Sequence, residues 1–225
     1  MKAKRRFNIW LWVLLCVPCL LASCDHDVHS DEEESGLSVS LTWADEADRG
    51  TEVKDVKLWI FNADDGSLVE EKHYGSAQEV ASQRFQLPEG TYRILTTTNL
   101  TEPFFISEQA RSLSNWNNIQ IGLTNPKDVR NNAYFGVADV KIDNKESSYV
   151  VQPPLKSVLS ELTVIIENIP KGTEMSGKAL DCAWCLFPTL KNSDGDYGLP
   201  SIEPTEVELP TLLATESTLK SEVIR

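Results

Sequence analysis

Apolar and polar residues alternate strictly at the start of the patterned part of the chain. Leu37, Val39, Leu41 and Trp43 are separated by Ser38, Ser40 and Thr42. A period of two puts the apolar side chains on one face and predicts a half-buried strand. Residues 56–61 (VKLWIF) predict a second strand, and 67–71 a short return strand. Between them Asn62-Ala63-Asp64-Asp65-Gly66 predicts a turn, with Gly66 free to take positive φ. Residues 84–87 predict another strand, Pro88-Glu89-Gly90 a turn, and 91–98 (TYRILTTT) a strand rich in β-branched residues. This spacing of short strands and turns predicts an antiparallel sandwich or barrel.

One segment carries a helical pattern. Over residues 107–116, Ser107 is a candidate cap, and Ala110, Leu113 and Trp116 share a face. Strands follow at 133–142, 148–152 and 158–167, the last predicted to be well buried from Val158, Leu162, Val164, Ile165 and Ile166. Pro153-Pro154 and the stretch 170–177 predict junctions, which sets a domain boundary near residue 155. Residues 180–187 predict a strand. The loop KNSDGDYG after it, at 191–198, has a Ca²⁺-like composition, but in a register begun at Asn192 the Gly falls at position 4 instead of 6, so a hairpin turn is predicted. Residues 205–225 hold little patterned apolar material. The second domain therefore reads as thin, with three or four strands, as in a chain cut short or paired with another.

Charge narrows the function classes. The 225 residues hold 21 basic and 34 acidic side chains, a net charge of −13. Four of the basic residues (Lys2, Lys4, Arg5, Arg6) and no acidic ones precede Cys24, leaving 17 basic against 34 acidic from there on. Nucleic-acid binding needs a basic surface, and this chain has the opposite balance. The same charge argues against electrostatic adhesion to anionic lipid.

The N-terminal segment has three parts. A cationic start is followed by the apolar run 9–21 (IWLWVLLCVPCLL) and then by Leu21-Ala22-Ser23-Cys24. This is the layout of a secretory signal peptide. The run would span roughly 20 Å as a helix, against ~30 Å for a bilayer core, and Pro18 interrupts it. Leu-Ala-Ser-Cys resembles a bacterial lipobox, which implies cleavage before Cys24 and its acylation. The alternative is an ordinary signal peptide with a chance Cys. Residues 25–36 (DHDVHSDEEESG) are acidic and unpatterned and predict a flexible linker. His26 and His29 could ligate a metal loosely there, but a solvated tether is the simpler reading. An acidic stretch directly after a lipidated Cys also resembles the signal that sends Bacteroidales lipoproteins to the outer face of the outer membrane.

With Cys16 and Cys19 in the leader and Cys24 lipidated, Cys182 and Cys185 remain. Cys-Ala-Trp-Cys has redox or half-zinc spacing. Its surroundings (Leu180, Ala183, Trp184, Leu186, Phe187) read as strand, where positions i and i+3 face opposite ways. No second Cys pair completes a zinc site. Ordinary strand cysteines are preferred over a local disulfide or a metal. A search for a catalytic site gives little. His73 reads as a surface residue, and no nucleophile elbow, His-Glu-x-x-His helix or phosphate-cradling loop is present. No catalytic residue, metal or cofactor is predicted, and Cys24 is the single residue given a chemical role.

The stretch 53–99 carries the most specific pattern. It reads Val-x-x-Val-x-Leu-Trp-Ile-Phe-x-Ala-Asp-Asp-Gly-x-Leu-Val, then Leu-Pro-Glu-Gly-Thr-Tyr-x-Ile-Leu-Thr-Thr-Thr-Asn-Leu. It resembles the N-terminal domain of FimB-type anchor and accessory subunits of Bacteroidales (type V) fimbriae. Residues 155–166 (LKSVLSELTVII) resemble that family's passage into its second domain, with Lys156 where Arg is common. The resemblance spans about 37–200. It implies an all-β protein of two β-sandwich domains, the first transthyretin-like, with at most one short helix and a second domain that is incomplete here. The organisation is then a signal peptide at 1–23, lipidated Cys24 with its linker to 36, and domains at 37–154 and 155–225. The resemblance also implies a non-enzymatic structural subunit of a surface fimbria that meets other subunits by strand donation. It would be held at the outer membrane by lipid on Cys24. A second reading is a surface lipoprotein that binds glycans on exposed aromatics, for which Trp43, Trp59, Trp116 and Trp184 are candidates.

Overall fold

The computed structural model describes residues 35–107, 115–124, 131–160, 163–201, 205–209, 211–214 and 218–220. Ten strands build the first part. These are β1 (Gly36–Val39), β2 (Thr42–Trp43), β3 (Lys54–Asn62), β4 (Leu68–Ser76), β5 (Gly90–Thr98), β6 (Phe104–Ile106), β7 (Ile121–Leu123), β8 (Tyr134–Ile142), β9 (Ser148–Val151) and β10 (Pro154–Ser157). The centre is a six-stranded sheet in the order β2-β10-β8-β5-β3-β4. Its long strands pair antiparallel, β5 along its whole length with β8.

This sheet is covered on both faces, which explains why VKLWIF is apolar at almost every position. Val56, Leu58 and Ile60 point into one core with Ile94, Leu37, Val39 and Val80. Trp59 and Phe61 point into the other with Leu95, Phe104, Trp116, Ile121 and Phe135. Successive strand residues face opposite ways, so a strand with a core on each side must be apolar throughout.

The alternating segment at 37–43 is a strand, but not a half-buried antiparallel one. Leu37 and Val39 are fully buried and Ser38 nearly so, because β1 lies inside the first core. It pairs parallel with β9, and β2 pairs parallel with β10. The expected strand at 84–87 shrinks to one bridge between Phe85 and Leu37. The described α-helix, α1 (Ala77–Ala81), stands where none was expected. Ser76 caps it by accepting from Glu79 N, and Glu79 accepts from Gly75 N in return. That is a capping-box arrangement, S-x-x-E, around a single buried Val80. Of the expected helix at 107–116, residues 108–114 lie outside the described residues; Trp116 opens a short 3-10 turn capped by Asn115.

The motif residues at 53–99 turn out to be clasps of the fold. Tyr92 OH donates to Pro88 C=O at 2.9 Å, folding the Pro-Glu-Gly-Thr-Tyr turn onto its own strand. Burial raises the Tyr92 phenol pKa. Asn99, at φ 57°, ends β5 and ties it to the start of β3: its Oδ1 accepts from Lys54 N at 2.8 Å and its Nδ2 donates to Glu52 C=O. The turn after β3 closes as expected, with Gly66 at φ 72° and its carbonyl accepting from Trp116 N.

Candidate assembly surface

The rest of the chain forms β11 (Ile165–Glu167), β12 (Glu174–Met175), β13 (Lys178–Cys182), β14 (Cys185–Lys191), β15 (Tyr197–Pro200), β16 (Thr205–Glu208), β17 (Leu212–Leu213) and β18 (Thr218–Lys220). The pairs β11–β18, β12–β17, β13–β16 and β14–β15 are all antiparallel. Their registers nest: Ile165 faces Lys220, Glu174 faces Leu213, Lys178 faces Glu208 and Leu186 faces Pro200. The eight strands are therefore one long, bulged β-hairpin that turns at 192–196. This corrects the reading of 158–167 as a well-buried strand. Residues 161–162 lie outside the described residues, and among the others strand runs over β11, whose Ile165 is 56% exposed. It also splits the expected strand at 180–187 into β13 and β14.

The tip of this hairpin is docked and its arms are not. At the tip, β14 pairs with β7 through Cys185–Gly122 and Leu186–Ile121, completing a sheet β15-β14-β7-β6. Tyr197 fastens it to the central sheet. Its ring meets Trp116 edge-on at 5.9 Å, and its hydroxyl reaches Asp139 at 3.3 Å. Asp139 faces Arg93 across β8 and β5, and Arg93 lies over Trp116 at 5.5 Å. Burial, with Asp139 adding to it, raises the Tyr197 phenol pKa. Lys156 of β10 donates to Tyr197 C=O at 3.4 Å and stands 3.8 Å from Asp196, closing an open pocket of about 180 Å³ with Phe135, Val137 and Pro154.

The arms are different. Among the described residues, β11, β12, β13, β16, β17 and β18 each have one neighbouring strand. Their outer N–H and C=O groups form sheet edges, the feature that natural proteins usually guard with charge, bulges or a covering element. The edge strand of the central sheet, β4, is guarded by Glu70, Glu71 and Lys72. The arms carry exposed Leu180 (62%), Leu213 (58%) and Ile165 among charged residues such as Glu167, Glu174, Lys178 and Asp181, whereas β4 exposes Val69 to 44%. The ion pair Lys178–Glu206, at 2.9 Å, spans the arms, and β13 bulges between Ala179 and Cys182 with Asp181 at φ 56°. Sequence reasoning read this region as thin, in a chain cut short or paired with another, and named no residue in it as a contact. The signal for it was the isolated apolar pair Leu212-Leu213, too short to register as a pattern.

The sequence-based site residues resolve as follows. Cys24, His26 and His29 lie outside the described residues. Cys182 and Cys185 are free thiols on β13 and β14. His73 is on the surface of β4, 2.6 Å from Asp55. Asn192 Oδ1 accepts from Asp194 N and Asp196 N, so the 191–198 loop is the hairpin turn. Of the four candidate tryptophans, Trp59 and Trp116 are core, and Trp43 and Trp184 are half-buried, Trp43 edge-on against Tyr134. They form no exposed platform. Among the described residues no three His, Cys, Asp or Glu side chains converge as a metal site, and no helix is long and apolar enough to cross a membrane.

The described residues form a scaffold of strands with one short α-helix, and no catalytic or metal cluster is found among them. The chain belongs to the family of fimbrillin-A associated anchor proteins Mfa1 and Mfa2, whose model matches residues 26–197. Its fold is similar to that of the fimbrial anchor protein Mfa2 from Porphyromonas gingivalis (16% identity, TM-score 0.59, 82% of this chain and 70% of that one). It is also similar to a candidate adhesin from Bacteroides ovatus (17% identity, TM-score 0.55, 86% and 67%). No functionally curated protein is detectably similar. The chain is thus a fimbrial accessory protein of the anchor family. It is structural rather than enzymatic, and its work is done in contact with other fimbrial subunits.

Proposed function

We propose that this protein is lipidated on Cys24, held at the outer face of the outer membrane, and anchors or limits a fimbria by pairing strands with a neighbouring subunit. The observation that carries the assembly step is the two-stranded arm of the long hairpin. Its edges are open among the described residues, and Ile165, Leu180 and Leu213 face solvent beside them. An incoming strand would pair along these edges and cover these side chains. The partition into domains at 37–154 and 155–225 belongs to the same reading: the second would be completed by strands from a partner.

Support for the tether is Leu-Ala-Ser-Cys followed by an acidic, unpatterned linker. Acyl chains on one residue hold stably when two or more are present. Labelled palmitate should enter the wild-type chain and not Cys24→Ser, which should leave the outer-membrane fraction; equal labelling of both would end the tether. Deleting the gene should leave fimbriae shed, overlong or missing when cells are imaged. Unchanged fimbriae would sink the assembly reading.

A further inference from the structure

We propose that β1 and β2, with β9 and β10, form a mechanical clamp that holds the folded body to its tether under load. The inference rests on the Cys24 tether proposed above for the direction of force, and on connectivity for everything else.

The pairing is longer than the strand bounds suggest. Gly36 faces Ser148, Val39 faces Val151, Thr42 faces Pro154 and Trp43 faces Leu155, so the partner number exceeds the first by 112 throughout (148 minus 36, 155 minus 43). One unbroken parallel register therefore runs from Gly36 to Trp43. Its rungs continue across the gap between β1 and β2. Gly36 N donates to Ser147 C=O at 3.0 Å, Ser40 N to Val151 C=O at 2.9 Å, Thr42 N to Pro153 C=O at 3.4 Å and Ala44 N to Leu155 C=O at 2.9 Å. Even spacing of slanted bonds is the mark of a parallel ladder.

Both strands are held on their other sides as well. Leu37 exchanges two backbone bonds with Phe85, at 3.0 and 2.9 Å. β10 lies between β2 and β8. At the membrane-side end, Gly36 takes φ 115°, and a Cβ there would stand 2.8 Å from Gln86 Nε2 and 3.0 Å from Phe85 O. Leu37, Val39 and Leu155 are at most 1% exposed, so sliding the ladder drags apolar side chains into water.

Connectivity sets how force would act. The chain arriving from Cys24 enters at the first end of β1, and the chain leaving for the hairpin arms exits at the last end of β10. In a parallel pair these are opposite ends. Tension between membrane and fibre would therefore pull the two strands past each other along their axes and load every rung at once. An antiparallel pair entered and left in this way would be loaded at one end and would open rung by rung. Resistance of this kind is kinetic: it is set by the barrier to unfolding under load and not by equilibrium stability.

The test is single-molecule force spectroscopy on the chain from residue 24 onward, with one handle at residue 24. The second handle is inserted after the exposed Ser160, beyond β10, or after the exposed Lys145, in the turn before β9. The first geometry shears the ladder and the second peels it. We expect a rupture force severalfold higher for the Ser160 handle in chains with the same melting temperature. Equal forces in the two geometries would overturn the clamp, and so would a higher force for the Lys145 handle. If either insertion shifts the melting temperature, the handle moves to the exposed Lys171–Gly172 junction, also beyond β10, or to the exposed Asp143–Asn144 junction, and the comparison is repeated. No lipid is present in this measurement, so the clamp fails or stands apart from the palmitate-labelling result.

Discussion

The central sheet and the arms of the long hairpin are made of the same element and solve opposite problems. In β3 and β5, neighbouring strands lie on both sides and a core lies on each face, so that Leu58–Phe61 and Ile94–Thr98 are buried. In β11–β13 and β16–β18 each strand has one described neighbour, and leucines stand exposed. The difference teaches where stability and function are separated in this chain. The sheet holds the buried apolar side chains of both cores, and the arms hold strands with one described neighbour and exposed apolar residues.

The largest expected break of this contrast is in the sheet. Phe61→Ala, at a fully buried position in the second core, should cost about 3–5 kcal/mol. Denaturant unfolding measures it, and a cost under about 1 kcal/mol would deny that the sheet dominates stability. Tyr197→Ala comes next. It removes the fastening of the tip to Trp116 and Asp139 and should cost on the order of 1–3 kcal/mol. Amide exchange in β14 and β15 should speed up while β3 and β5 stay protected, because local openings have their own free energies. Equal acceleration everywhere would mean that tip and sheet unfold as one.

Tyr92→Phe removes the bond to Pro88 and should cost about 1 kcal/mol, read from the shift in denaturant midpoint. Leu213→Asp in the arm should change monomer stability by no more than about 0.5 kcal/mol and yet reduce incorporation into fimbriae, scored by imaging. A strongly destabilised monomer would place Leu213 in a core. The smallest effect is electrostatic. The Ser67 hydroxyl and amide lower the pKa of Asp65 from 3.8, so the bonded carboxylate supports the turn above that pH. That support should fade as pH falls below 3.8 through the folded value. An NMR titration should show the Asp65 midpoint returning toward 3.8 in Ser67→Ala.

How much could be read in advance follows the same division. β3, β5 and β8 were legible to within a residue or two, β3 because burial on both faces makes VKLWIF apolar at almost every position and β5 because TYRILTTT is rich in β-branched residues. The fimbrial resemblance was legible in Gly66, Tyr92 and Asn99, each of which makes a local contact that its neighbours require. α1 was missed although Ser76 and Glu79 carried the capping signal, since one apolar residue, Val80, sets no period. The burial expected over 158–167 failed for a different reason: Ile165 and Ile166 are apolar whether the chain itself or a partner covers them. The parallel partners of β1 were not readable, because nothing local in Leu37 or Val39 points to residues 112 positions away (149 minus 37).

That separation has a consequence for the order of events as the chain folds. Strands β3 and β4 are joined by a five-residue turn, 63–67, and can pair at small cost in loop entropy. The β1 ladder must wait for a partner more than a hundred residues later, and contacts of such range are slow to form. The strand nearest the tether is the first to be synthesised and is expected among the last to find its place. Until residues 149–151 have arrived, Leu37 and Val39 lack the partners of their ladder and have the side chains of β3, α1 and Phe85 to pack against.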